Sequence, residues 1–151
     1  LQEIHGVLAG KLGKVDMAGE KKLHGLMRGV LKLAGVRAVH DVGEGGILWA
    51  MAEMCFGEGS AGAEVAIPCG KGERVEEALF GEGGGRILLE VDEEGVTRVE
   101  ELAKEAGVGC YRIGKSGGAN LQISCGAVRE EWSVQVLCKL YQEALPQALV
   151  G

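Results

Sequence analysis

No apolar run in this chain reaches the roughly 20 residues that a membrane-spanning helix needs. No basic segment leads into an apolar one in the manner of a secretory leader. The expectation is a soluble, cytoplasmic protein without a membrane partner. Basic charge is also short, since 16 Lys and Arg stand against 22 Asp and Glu, for a formal net charge of -6. Non-specific binding to nucleic acid requires a basic footprint against the phosphates, so nucleic acid is not an expected partner. The five cysteines, Cys55, Cys69, Cys110, Cys125 and Cys138, are odd in number and include no CxxC pair. That argues against a disulfide framework or a zinc site and leaves buried, reduced thiols as the expectation. Hydroxyl side chains are scarce, with Thr97 the single threonine. No G-x-S-x-G occurs, and no cysteine and histidine share a recognisable local spacing.

Glycine is abundant instead, at 27 residues against two prolines. The glycines are scattered between periodic apolar segments, which excludes collagen and low-complexity linkers. Glycine costs conformational entropy, so it belongs where backbone geometry demands it. With 151 residues, 46% of them apolar, the chain suits one domain with its own core.

The periodicity outlines the elements. Residues 1–12 are compatible with a helical start, with Ile4, Val7 and Leu8 on one side. From Glu20 to Ala34, Leu23, Leu26, Met27, Val30, Leu31 and Ala34 share one helical face, with Gly35 where a left-handed cap belongs. Residues 36–42 read as a strand with Val36, Ala38, His40 and Val42 on one side. Ile47, Leu48, Met51, Met54 and Cys55 form the next helical stripe. "GAEVAI" is a strand ended by Pro68, "GERVEEALF" a short helix and "RILLEV" a strand. "DEEGVTRVEELAKEAG" is a helix with Asp92 as its N-cap and Gly107 at its end. "VGCYRIG" and "NLQISC" read as two strands joined by the turn "KSGGA", and a last amphipathic helix is expected from about Val128 to Ala144. The order α-β-α-β-α-β-α-β-β-α predicts an α/β (α+β) fold, a mixed β-sheet flanked by helices.

"HDVGEGG", residues 40–46, lies between a strand and a helix. The first turn of a helix presents unpaired N–H groups and positive charge. Glycines let a phosphate approach that backbone, and a carboxylate just before them stands where it can hold magnesium beside phosphate oxygens. Asp41 with Gly43, Gly45 and Gly46 is therefore a candidate phosphate and metal corner, with Asp41 as the metal ligand. The plain alternative is that Asp41 caps the turn and the glycines serve packing. Neither a G-x-x-x-x-G-K-[ST] nor a G-x-G-x-x-G with a following ribose acid is present. His40 falls on an apolar side, where a histidine is more often a hydrogen-bonded structural residue than a catalyst. "LFGEGGGR", residues 79–86, reads either as a flexible lip carrying Glu82 over a ligand or as a helix end followed by a turn with Arg86 in solvent. Lys115 and Ser116 read as an ordinary hairpin turn or an anion contact, and Trp49 and Trp132 as core or interface residues on helices.

Four segments in order resemble one family. "AVHDVGEGGILWAMAEMCFGEGSAGAEVAI" resembles the "HDxSDGGLxxxLAEMxxxxxxGAEV" stretch of phosphoribosylformylglycinamidine synthase. "ALFGEGGGRILLEV" is similar to its "LFSESxxRxxxxV", "VEELAKEAGVGCYRIGKSGG" to the helix and strand leading to "IGxVxG", and "VREEWSVQVLCKLYQEAL" to its closing "LxxxW" helix. The resemblance covers about residues 20–145. It implies a fold like the C-terminal domain of aminoimidazole ribonucleotide synthetase. It also implies that residues 1–151 are one domain, the last C-terminal domain of the synthase core and a piece of a longer chain; the start at Leu1 without an initiator methionine agrees.

The implied activity is an ATP-dependent ligase of de novo purine biosynthesis. The amide oxygen of formylglycinamide ribonucleotide is activated by phosphoryl transfer, and ammonia from glutamine displaces it to give the amidine. The implied cofactors are ATP or ADP and Mg2+. The implied partners are the upstream domains, a glutaminase domain or subunit, and formylglycinamide ribonucleotide. By position, Asp41 takes the family's metal-binding aspartate, and His40, Gly43, Gly45 and Gly46 complete the nucleotide loop. No catalytic residue is expected in this piece, because the family's catalytic histidine lies upstream. Gly43 replaces the family serine and Glu44 its second aspartate, so weak or absent nucleotide binding and no turnover are expected of the piece alone. The alternatives are a degenerate structural domain of the same fold, or another superfamily member such as a thiamine-phosphate kinase or selenophosphate synthetase.

Overall fold

The computed structural model describes residues 15–150 except 58, 60, 71 and 73. The helical start expected over residues 1–12, with His5, lies outside the described residues. The elements are α1 (Met17–Val30), β1 (Val36–Asp41), α2 (Gly46–Met54), β2 (Ala63–Ile67), α3 (Val75–Phe80), β3 (Ile87–Val91), α4 (Glu93–Ala106), β4 (Gly114–Ser116), β5 (Asn120–Cys125), β6 (Val128–Ser133) and α5 (Val134–Val150).

Helix boundaries follow local chemistry. The Asp16 carboxylate accepts from the N–H groups of Ala18 and Gly19 and starts α1. Leu23, Met27 and Val30 are buried, as the stripe predicts, but the helix stops at Val30 and Leu31 is 61% exposed. Gly35 is not its cap. Its carbonyl accepts from Asp92 N at 2.9 Å, and its Cα faces Gly95 so closely that a Cβ on Gly35 would strike the Gly95 Cα at 3.0 Å. A close approach between β1 and α4 therefore requires this glycine. Helix α4 is as predicted: Asp92 accepts from Gly95 N at 2.9 Å, and Gly107 closes it in the left-handed region at φ 63°.

The strands form a β1–β3 antiparallel ribbon and a mixed four-stranded sheet of order β4-β2-β5-β6. The mixed sheet flanked by helices agrees with the expected fold class, but its connections differ. "KSGGA" is not a hairpin between neighbours, because β2 lies between β4 and β5, antiparallel to the first and parallel to the second. Most of "VGCYRIG" is not strand either, and only Gly114–Ser116 is paired.

The expected last helix from Val128 is split. Residues 128–133 form β6, antiparallel to β5 across a tight turn in which Gly126 has φ 58°. Val128 pairs with Cys125 and Trp132 with Leu121. Helix α5 begins only at Val134. A helical reading of "VREEWS" fails because the left-handed glycine reverses the chain and offers it the free edge of β5. Trp132 thus sits on a strand, half-buried against the core, while Trp49 is 43% exposed.

The ribbon separates two apolar clusters. Ile87, Leu89 and Val91 pack towards Leu23, Met27, Val30 and Val99 of α1 and α4. Leu88 faces the other way, into the larger cluster with Ile47, Met51, Leu79, Leu121 and Ile123. Side chains alternate across a strand, so the continuous apolar run "ILL" marks a strand buried on both faces. The ladder slips between Val36 and Ala38, a bulge that turns successive residues. Val36 packs with the α1–α4 cluster, whereas His40 pairs with Leu88 of the other, so the expected single face breaks at this point.

The cysteines divide by depth. Cys55 and Cys125 are buried, Cys69 and Cys138 half-buried, and Cys110 exposed, so the expectation of buried thiols fails at Cys110. Burial pushes the Cys55 thiol up, with the Glu90 charge adding to it. Partial burial does the same to Cys110, again aided by a carboxylate, Glu100, and opposed by Arg112. Thiolates are the reactive form. Alkylation at neutral pH is therefore expected to reach Cys110 slowly, faster as pH rises, and Cys55 only on unfolding. Mass-spectrometric mapping of a labelling time course checks this. Modification of Cys55 ahead of Cys110 in the native chain would contradict it.

Candidate functional site

The expected corner exists as a strand-to-helix junction. Val42 continues the ribbon by donating its N–H to Arg86 O at 2.9 Å. Gly43 to Gly46 then reverse the chain, with Gly46 N donating to Gly43 O at 3.1 Å. Gly45 is the N-cap of α2, with φ 77°, and Gly46 follows at φ 72°. L side chains rarely tolerate this region. A Cβ on Gly45 would lie 2.7 Å from Trp49 Cβ, and one on Gly46 would lie 2.6 Å from the backbone of Leu79 and Phe80. Packing thus demands both glycines. Gly43 is different, since a Cβ there would find only Asp41 Oδ2, at 3.6 Å.

A shallow, open cleft of about 270 Å³ lies over this corner, lined in part by His40, Asp41, Gly43, Glu44, Trp49 and Glu53. Asp41 is exposed and points into solvent at the cleft rather than being sealed in the core. His40 behaves as a structural residue. Its Nδ1 lies 2.7 Å from the Asp41 carbonyl oxygen, which can only accept a hydrogen bond. Its Nε2 lies 3.2 Å from Glu53 Oε2 on α2. The ring therefore ties the end of β1 to the helix behind it and sets the direction in which Asp41 leaves the strand. Glu53 carried no sequence signal, because a helical glutamate 13 residues after a histidine has no local pattern that marks the pair.

Glu82 reaches the site from the glycine loop between α3 and β3. Its carboxylate accepts from Gly45 N at 3.1 Å. The amide that would face a phosphate is therefore held by the chain's own carboxylate. Arg86 is not in solvent as one reading had it. It is half-buried and its guanidinium donates to Gly81 O. Lys115 and Ser116 lie in β4, and Ser116 Oγ donates to Glu90 Oε1 at 2.6 Å on the ribbon, away from the corner.

Asp41, Glu44, Glu53 and Glu82 make the corner acidic, and among the described residues no lysine or arginine lines the cleft. Among the described residues, no three His, Cys, Asp or Glu side chains gather closely enough to hold a metal ion. Asp41 fits a magnesium ion only as a single protein ligand beside phosphate oxygens, a coordination that magnesium accepts. Among the described residues that line the cleft there is no serine, cysteine or lysine.

Trp49 connects this corner to the C-terminal helix. Its ring centroid lies 5.7 Å from that of Tyr141 on α5, and Tyr141 lies 5.2 Å from Phe56. Beyond this contact α5 is exposed, with Leu140, Leu145 and Leu149 each more than 60% accessible. Among the described residues no helix is long and apolar enough to cross a membrane.

The chain is 38% identical over all 151 of its residues to phosphoribosylformylglycinamidine synthase subunit PurL of Rhodospirillum rubrum, of which it covers 20%. It is 35% identical over 147 residues to the subunit of the same name from Moorella thermoacetica, covering 97% of this chain and 20% of that one. It therefore spans about a fifth of the length of these curated relatives. Among solved structures, Thermotoga maritima PurL complexed with ATP superposes with a TM-score of 0.73 at 21% identity, over 85% of this chain and 23% of that one. The PurLQS structure from the same organism gives 0.72 at 20% identity, over 85% and 23%. These likenesses show the same fold, a mixed sheet flanked by helices. The family model for the C-terminal domain of AIR synthase related proteins matches residues 2–125, and with the ribbon, the mixed sheet and the glycine corner in place, the chain belongs to that family.

Proposed function

We propose that residues 1–151 serve as the last C-terminal domain of a longer phosphoribosylformylglycinamidine synthase, a cytoplasmic ATP-dependent ligase of purine biosynthesis. The observation that carries this reading is the run of 38% identity along the entire chain against one fifth of a PurL subunit. The reaction of the whole enzyme converts formylglycinamide ribonucleotide, ATP and an ammonia equivalent from glutamine to the amidine, ADP, phosphate and glutamate. The partners are the upstream domains and a glutaminase, whether fused or separate.

In this reading the chain's own part is to close one side of a nucleotide site. Asp41 is directed by the His40–Glu53 clip, and the amides at the start of α2 supply the positive end of a helix dipole. Asp41 would be the protein ligand that holds a magnesium ion, whose charge would offset that of the nucleotide phosphates. His40, Gly43, Gly45 and Gly46 would shape the loop around them. The piece by itself is poorly equipped for this task. Gly43 lacks the hydroxyl of the family serine, a donor worth about 1.5–3 kcal/mol to a charged acceptor, and Gly45 N is engaged by Glu82.

Calorimetry of the 151-residue chain with Mg-ADP is expected to show no binding at micromolar concentrations. A coupled ADP-release assay with formylglycinamide ribonucleotide and ammonia is expected to show no turnover. Binding at micromolar affinity or tighter, or activity above background, would contradict the reading of an incomplete site. In the complete synthase, Asp41→Ala is expected to lower activity or nucleotide content.

The Glu82–Gly45 contact and the missing serine favour a second reading, a domain of the same fold kept for assembly alone. Asp41→Ala would then leave the complete enzyme's activity nearly unchanged, which decides between the two.

A further inference from the structure

The loop at residues 81–86 is fixed at both ends and held in the middle by one side chain. At the α3 end, Gly81 N donates to Glu77 O at 3.0 Å, and Arg86 returns a guanidinium N–H to Gly81 O. At the β3 end, Arg86 O accepts from Val42 N at 2.9 Å. Between them lie Glu82, Gly83, Gly84 and Gly85, all exposed, with Gly85 left-handed at φ 77°. Three successive glycines offer no side chain to anchor the loop and the widest choice of backbone states. Glu82 is the single residue among the four that has a side chain, and its carboxylate is the one seated on Gly45 N.

The seat itself is unusual. It is the N-cap of α2, where Gly45 has no side chain to cap the helix and the cap residue makes no side-chain bond of its own. Glu82 supplies from another segment the acceptor that a glutamate at the third helical position supplies to the N-cap N–H in a capping box. Coulomb repulsion opposes this, because Asp41, Glu44 and Glu53 line the same cleft. The contact therefore rests on the amide and the positive end of the helix, and it joins a loop with little else to hold it to the corner that Gly43, Gly45 and Gly46 frame.

We propose that Glu82 is a latch: its carboxylate, bonded to Gly45 N–H, holds the glycine loop 82–85 across the amino end of α2, and the loop opens when that bond is given up. Any ligand that brings anionic oxygens to this amide has to displace Glu82 first. That consequence rests on the nucleotide reading above, whereas the latch itself does not.

Amide hydrogen exchange and backbone relaxation by NMR on the isotope-labelled chain test the latch, with Glu82→Ala and Glu82→Gln compared to the parent. Loss of the bond is expected to speed exchange at Gly45 about tenfold in Glu82→Ala. Order parameters at Gly83–Gly85 are expected to fall in the same variant. Glu82→Gln keeps a carbonyl acceptor and loses the charge, so most of the protection is expected to remain. Unchanged exchange in Glu82→Ala would overturn the latch. Equal acceleration in both variants would also overturn it, because charge alone would then explain the rate. Mg-ADP titrated into Glu82→Ala separates the two proposals. If exchange and mobility change as expected while no nucleotide binds, the latch stands and the nucleotide reading loses support.

Discussion

Gly46→Ala is expected to destabilise the chain by about 3–5 kcal/mol, enough to threaten folding of a domain whose total stability is of order 5–15 kcal/mol. Two costs add. Gly46 has φ 72°, a conformation that charges an L residue about 1–2 kcal/mol. The new methyl would also lie 2.6 Å from the Leu79 carbonyl oxygen and from Phe80 Cα and carbonyl carbon. Those are backbone atoms of α3, so no rotamer change can relieve the clash. Either α2 and α3 separate, opening the cluster around Ile47 and Leu79, or the glycine corner changes shape. A thermal melt followed by circular dichroism should show Tm lower by roughly 10 °C, given about 2–4 °C per kcal/mol at this size. Gly43→Ala is the matched control. It has no positive φ and its nearest neighbour is at 3.6 Å, so its effect should stay within about 0.5 kcal/mol. Equal melting points for the two variants would mean that the corner is not packed as described.

Leu121→Ala is expected to cost about 3–4 kcal/mol, within the range for fully buried leucines. Leu121 is 0% exposed and lies on β5, the strand flanked by β2 and β6. It pairs with Ala63 on one side and Trp132 on the other. Neighbours held in two ladders cannot collapse into the space left by the missing methyls, so a cavity remains. In urea the midpoint should fall with little change in the slope. Leu121→Met, which nearly conserves volume, should lose less than about 1.5 kcal/mol. If Leu121→Ala cost no more than Leu121→Met, β5 would not be the centre of the larger core.

The site was legible in the sequence to the extent that its signals were local. A carboxylate before glycines and then an apolar helix stripe placed Asp41, Gly45 and Gly46 at a strand-to-helix junction, because left-handed backbone and helix N-termini leave marks in adjacent residues. Glu82 drew notice for the same reason, as a lone side chain among glycines. Its bond to Gly45, 37 residues away, was not visible. Nor was the pairing of His40 with Glu53, since a side chain's partner across two elements depends on how strand and helix cross.

By itself the sequence determined the helices α2 and α4 and the strands β1, β2, β3 and β5 within a residue or two, and the helices α1 and α3 with an end displaced by three or four residues. Periods of 3.6 and 2 and the capping residues Asp92 and Gly107 act over a single turn. Tertiary structure decided the rest: β2 inserted between β4 and β5, "VREEWS" drawn out of a helix into β6, and Gly35 serving a close backbone approach instead of a cap. In each case a hydrogen-bonding edge or a neighbour distant in sequence outweighed a local preference worth at most about 1 kcal/mol per residue.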